Sequence, residues 1–210
     1  SRSAEYDLAP YVLQRAIELR PGNTGLYYSR GVTDLLVQGF DLGIEDFEKY
    51  LRCEKDDQSA YRNRGASYLF LGDTLKALND YNKAIKLDRF DPEGYIRRAR
   101  LYAQGNNFEL AIEDMNKAID LDPDNTLAYF NRALMFYETN DYIAAISDLD
   151  RVLRDDPGNA LTLYNRALIY AQVGAFEEAI ADMDRVININ PDNVLAYFNR
   201  ASMFIELGRW

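Results

Sequence analysis

Two charge ladders run through this sequence. Arg30, Arg64, Arg98, Arg132, Arg166 and Arg200 recur every 34 residues, and Asp46, Asp80, Asp114, Asp148 and Asp182 recur at the same interval. A row of guanidinium groups could hold phosphate or carboxylate ligands, since each presents a planar fork of N–H donors. A row of carboxylates could do acid–base work. The matched period argues for a structural use instead, with one carboxylate per guanidinium joined between neighbouring helices by parallel hydrogen bonds. The carboxylate would come from the same unit, leaving Arg200 without its Asp, or from the preceding one, where Arg30 would meet Val12.

Other chemistries lack their parts. There is no His, which removes the commonest general base and metal ligand together. The single Cys53 supplies neither a zinc pair nor an internal disulfide. No P-loop or Gly-rich dinucleotide turn is present, and the remaining carboxylates cluster at expected helix ends. No enzyme activity, cofactor or metal is therefore expected. With 24 basic and 34 acidic residues the chain stands at −10, a sign that repels phosphate backbones and anionic lipid headgroups. Neither nucleic acid nor membrane is an expected partner. No apolar run approaches the roughly 20 residues of a membrane span, and residues 1–5 form no apolar signal core. The compartment stays open, with a soluble, cytoplasmic setting favoured.

The elements that carry the ladders follow from the same period. Pro123, Pro157 and Pro191 are 34 apart, and the same step backwards reaches Arg89, Lys55 and Pro21. Within one unit Tyr129, Ala133 and Phe136 stand at i, i+4, i+7, and Ala145, Leu149 and Val152 repeat that spacing, so each unit holds two amphipathic helices. Breaks at Gly72-Asp73-Thr74, Gly105-Asn106-Asn107, Thr139-Asn140-Asp141 and Val173-Gly174-Ala175 make antiparallel hairpins. Asn23, Asp57, Asp91, Asn125, Asn159 and Asn193 stand where a side chain can cap each first helix, and Pro92 suits a first helical position.

A 34-residue helix-turn-helix carried by Tyr95, Ala99, Tyr102, Ala111, Met115, Ala118 and Pro123, and again by Leu163, Ala167, Tyr170, Ala179, Met183, Val186 and Pro191, resembles the tetratricopeptide repeat family. The resemblance implies an all-α fold, a right-handed α-solenoid of stacked antiparallel helix pairs. Units are expected at 24–57, 58–91, 92–125, 126–159 and 160–193, with a lone second helix in 1–23 and a lone first helix in 194–210. The fit is poorest in 24–57, where Asp34 takes the aromatic place, Gly43 the usual Ala, Tyr50 the second small place and Lys55 the Pro, so that unit is expected to be looser or bent. The partial units are expected to come from a longer array whose uncapped ends could stack head to tail between copies.

The first helices carry a second stripe that packing within the pair does not explain. It reads Leu127, Phe130, Asn131 and Leu134, then Leu161, Tyr164, Asn165 and Leu168, then Leu195, Phe198 and Asn199. By the resemblance these residues line the concave groove and bind a peptide or protein segment, with Phe130, Tyr164 and Phe198 as anchors. Asn63, Asn131, Asn165 and Asn199 resemble the asparagine ladder in the repeat arm of the protein N-acetylglucosamine transferase, since an amide can donate to and accept from main chain. Towards the N-terminus Arg62, Arg97 and Arg100 form a basic patch suited to acidic residues of the partner. The function expected is a protein–protein interaction scaffold; the alternative is a targeting or regulatory arm of a larger enzyme.

Overall fold

The computed structural model describes residues 8–209, so the first seven residues of the expected partial unit 1–23, and Trp210, lie outside them. Among the described residues there are twelve helices and no strand. They are α1 (Ala9–Leu19), α2 (Thr24–Leu36), α3 (Phe40–Cys53), α4 (Gln58–Phe70), α5 (Thr74–Leu87), α6 (Pro92–Gln104), α7 (Phe108–Leu121), α8 (Thr126–Glu138), α9 (Tyr142–Asp155), α10 (Ala160–Gln172), α11 (Phe176–Ile189) and α12 (Val194–Glu206). First helices from α2 onward are 13 residues long and second helices from α3 onward are 14.

Local chemistry fixes this register. The turn after each first helix from α2 onward contains one residue in the left-handed region, at positions 38, 72, 106, 140, 174 and 208. Gly72, Gly174 and Gly208 adopt it freely and Asn106 and Asn140 tolerate it, whereas Gln38 holds φ +65° with a full side chain. At the helix starts, the Asp57, Asn125, Asn159 and Asn193 side chains accept hydrogen bonds from first-turn N–H groups. Asp91 accepts from the Glu93 N–H at 3.1 Å. Asn23 makes no such bond. Pro92 opens α6, where its missing N–H costs nothing.

The chain divides into two compact units, one ending at Leu101 and one beginning at Tyr102. In the first, α2 pairs with α3 and α4 with α5, while α1 packs on α2 and α3 on α4. Ala60, Ala77, Phe47 and Tyr81 are buried at its centre. The 24–57 repeat differs in packing rather than in length. A Cβ on Gly31 would stand 3.2 Å from the Gly43 carbonyl, so α2 and α3 meet backbone to backbone. Beside that contact lies Asp34, 3% exposed, in the place taken by Tyr68 one repeat later. Its Oδ2 has no hydrogen-bond partner. Burial first, then the Asp46 charge, pushes the Asp34 carboxyl up to about 6.

In the second unit α8 pairs with α9 and α10 with α11, with α7 against α8, α9 against α10 and α11 against α12. Ala133, Ala145, Ala167 and Ala179 are fully buried where the paired helices approach, and Leu149, Leu163 and Met183 fill the space around them. Small residues at the crossing and large ones beside it are what close helix packing requires.

Candidate interaction face

The Arg ladder is structural: of the two partners that the spacing allowed it takes the Asp of its own unit, and its backward bonds go to other residues of the preceding second helix. Within the unit, Arg64 donates from Nε and Nη2 to the two oxygens of Asp80 at 2.8 and 2.7 Å. Arg30 meets Asp46 in the same way, Arg132 meets Asp148, and Arg166 meets Asp182. The third guanidinium nitrogen reaches back 16 residues to the preceding second helix: Arg98 to Asn82 and Arg132 to Asn116, each at 2.6 Å, and Arg166 to Asp150 at 2.5 Å. Arg30 reaches Gln14 in this way, and Arg200 reaches Asp184. Arg30, Arg132 and Arg166 thus pin a first helix to the second helices on either side of it. The Asp182 hydrogen bonds hold the Arg166 guanidinium far above its ordinary range. Aromatic rings complete the setting, as where Arg132 lies 5.4 Å from the Tyr129 ring centre and 5.6 Å from that of Phe136. In Arg30, Arg132 and Arg166 all three guanidinium nitrogens are engaged within the chain, which leaves these positions no free fork for a ligand.

The stripe on α8, α10 and α12 remains open. Leu127, Leu161 and Leu195, each the second residue of its helix, are 56, 61 and 64% exposed, and Phe198 is 66% exposed. Leu127 and Phe130 of α8, Val152 of α9 and Leu161 and Thr162 of α10 line a cleft of about 230 Å³. The three expected anchors are not equivalent. Phe130 is half-buried against the Ala133–Leu149 cluster, Tyr164 is half-buried against the Leu163–Met183 cluster, and Phe198 stands out. Leu134 and Leu168 are also half-buried, Leu168 packing on the same cluster as Tyr164.

The asparagines are partly occupied within the chain. Asn199 donates to the Tyr164 hydroxyl at 2.8 Å, and in the first unit Asn63 donates to the Tyr28 hydroxyl at 3.3 Å. Both tyrosines lie 35 residues before their asparagine. For Asn165 that place holds Phe130, which has no hydroxyl, and Asn165 donates to the Leu161 carbonyl of its own helix at 2.8 Å. Asn131 is half-buried.

In the first unit the three basic residues do not act alike. Arg62 is bound to Asp91 and to Ser59, and Arg97 pairs with Glu93 at 2.8 Å, leaving Arg100 exposed. Two of the three charges are thus balanced locally. Carboxylates at Asp91 and Glu93 are the signal that shows this, at spacings of 29 and 4 residues.

Among the described residues no group of three or more His, Cys, Asp and Glu side chains could hold a metal ion, and no helix is long and apolar enough to cross a membrane. What the fold presents is a stack of helix hairpins with an apolar face on its first helices, the build of an α-solenoid interaction scaffold. A tetratricopeptide repeat model matches residues 62–126, 96–160, 130–194 and 164–210, and the chain belongs to that family. No curated protein matches the sequence. Among solved structures, YrrB, described as a TPR protein with an unusual peptide-binding site, is 22% identical with a TM-score of 0.72, over 90% of this chain and 97% of its own. A tetratricopeptide repeat protein from Parabacteroides merdae is 21% identical with a TM-score of 0.77, over 99% and 82%. The Cut9–Hcn1 hetero-tetramer of the APC/C contributes a chain 16% identical, TM-score 0.76, matched over 96% of this chain and 40% of its own. At these identities the likeness is one of fold.

Proposed function

We propose that the chain binds a segment of a partner protein along the α8–α10–α12 face. The observation that carries this reading is the repeated exposure of Leu127, Leu161 and Leu195 at one position of three successive first helices, joined by exposed Phe198 and the cleft beside Leu127. An apolar row in water has a free-energy cost that a docked apolar side chain removes, about 25 cal/mol per Å² covered. Asn131, Asn165 and Asn199 border the row and supply amides suited to main chain. Asn165 and Asn199 would exchange their internal bonds for bonds to the ligand, which lowers their net contribution and leaves the leucines and Phe198 as the anchors.

Tyr164 has a different part from the one its sequence position implies. Its ring supports the core and its hydroxyl holds Asn199, so Tyr164→Ala perturbs folding and the face together. Leu161→Ala and Phe198→Ala are the cleaner probes. Twelve-residue peptides selected from a random library on the 210-residue chain should lose affinity about tenfold or more to each variant by calorimetry, with unchanged thermal unfolding. Selected peptides that bind both variants as tightly as the wild type would refute this face.

A further inference from the structure

The two compact units differ in charge. Residues 1–101 hold 16 acidic and 16 basic side chains, whereas residues 102–210 hold 18 acidic and 8 basic, so the whole of the chain's −10 resides in the second unit. On the helices that frame the cleft, no positive charge is left for a ligand. Helix α8 contains one cation, Arg132, and α10 contains one, Arg166, and each has all three guanidinium nitrogens bound within the chain. At the helix starts the Asn125 and Asn159 side chains already accept from the Ala128 and Thr162 N–H groups at 3.1 and 3.0 Å, the place an anion would otherwise take.

The edge on which Leu127 and Leu161 stand is acidic. Both leucines follow directly on the connectors that precede α8 and α10, and those connectors, with the last residue of α9, carry Asp122, Asp124, Asp155 and Asp156. Asp122 and Asp156 accept from the Asn125 and Asn159 amides at 3.0 and 3.2 Å, and Asn159 itself lines the cleft. Asp124 and Asp155 share one cation. Arg151 lies 3.0 Å from the first and 2.5 Å from the second, and the Asp124 side chain is 93% exposed. The other cations at this edge are Arg154, exposed on α9, and Arg185, which donates to the Pro157 carbonyl at 2.5 Å. One guanidinium serving two carboxylates leaves a negative charge over, beside an apolar cleft. That cleft is interior to the array, since α7 packs on α8 and α11 on α10.

We infer that the segment bound at this cleft is a basic one, with an aliphatic side chain between Leu127 and Leu161 and a Lys or Arg a few residues away that takes Asp124 and Asp155. The inference rests on the reading that this face binds a segment of a partner protein, and it adds the chemistry of that segment. The aliphatic side chain leaves water against the two leucines, Phe130 and Val152. The cation supplies the second positive charge that the Asp124–Arg151–Asp155 group lacks. An acidic segment would meet like charge at the rim with no free guanidinium on α8 or α10 to offset it, which is discrimination by repulsion. The surplus negative charge of the whole unit acts in the same sense at longer range, speeding encounter with cationic segments.

The probes are twelve-residue peptides selected from a random library on the 210-residue chain in about 0.15 M salt, where charges further apart than about 8 Å are largely screened. Each selected peptide is remade with its Lys and Arg changed to Gln. The selected sequences should pair an aliphatic residue with Lys or Arg, and their Gln forms should bind about fivefold more weakly by calorimetry. Asp124→Asn and Asp155→Asn in one chain should remove the advantage of the basic peptides over the Gln forms. Arg151→Gln should have the opposite effect and tighten the basic peptides, measured below the unfolding transition because Arg151 also lies 5.5 Å from the Tyr129 ring centre. Neutral or acidic peptides that lose affinity to Leu161→Ala overturn the inference and leave the face standing. So do basic peptides that need Leu161 but bind no better than their Gln forms. Basic peptides indifferent to Leu161→Ala, or a selection that returns no binder with a Kd below about 1 mM, overturn the face and the inference together.

Discussion

The repeats at 24–57 and 160–193 have helices of the same length and spacing, built with different devices. In the later repeat Asn159 caps α10 by accepting from the Thr162 N–H at 3.0 Å, Gly174 makes the left-handed turn, and Ala167 and Ala179 meet at the crossing. In the earlier one Asn23 leaves its helix uncapped, Gln38 makes the turn at a conformational cost, and two glycines replace the alanines. Tyr50 stands in the second small place, where its hydroxyl donates to Asp57 at 2.7 Å, a bond that pushes its own ionisation up to about 12. The Arg–Asp pair is the device that both repeats keep. The comparison teaches that backbone periodicity survives the loss of caps, turn residues and aromatic filling when the paired faces and the arginine remain.

The largest test removes what the two repeats share. Arg166→Ala leaves Asp182 buried without its bidentate partner and should cost about 3 kcal/mol, the usual penalty for orphaning a buried charge. Urea unfolding gives the magnitude, and hydrogen exchange should show α10 and α11 opening most. Protection there unchanged from the wild type would mean that the pair is dispensable. A smaller effect of opposite sign is expected at Asp34. Its folded-state carboxyl sits at about 6, above the ordinary 3.8, so the folded form holds the proton more tightly. The destabilisation is full above pH 6 and fades as the pH falls from about 6 towards 4. Asp46 and Arg30 are the charges acting on it, the first raising and the second lowering. Asp34→Asn should therefore stabilise the 24–57 repeat by about 1–2 kcal/mol at pH 7, with little gain near pH 4. Equal gains at both values would show that charge is not the cause. The smallest difference lies in the caps. Asn159→Ala should cost about 1 kcal/mol, and Asn23→Ala, with no cap bond to lose, a few tenths. Matched thermal unfolding of the two variants measures the gap directly.

The helices and their antiparallel pairing were legible because a 34-residue period in apolar spacing, breaks and capping residues all agree. The Asp partners of the arginines were legible as a pairing, with the choice of unit left open. The backward partners were not recognised, although a polar residue stands two places after each ladder position, at Gln14, Glu48, Asn82, Asn116, Asp150 and Asp184. Amides and carboxylates both occur there, so an acceptor oxygen recurs while the residue type does not. The face on α8, α10 and α12 was legible as a stripe, but not the degree to which each member is free. Half-burial of Phe130 and Tyr164 depends on which side chains of the neighbouring helix reach them, and the Tyr164–Asn199 bond joins residues 35 apart, one step out of phase with the period. Arg62 and Arg97 were read by their charge, without the carboxylates that balance them.

From Tyr102 onward, the backward and forward bonds of the arginines form an unbroken sequence. Arg132 ties α7 to α9 across α8, Arg166 ties α9 to α11 across α10, and Arg200 fastens α12 to α11. In a linear array, stability divides into what each hairpin contributes alone and what each junction adds. Here one side chain per repeat contributes to both. Loosening a single arginine therefore does more than weaken its own hairpin: it cuts the cooperativity of melting at that point, so that the helices on either side unfold as separate blocks.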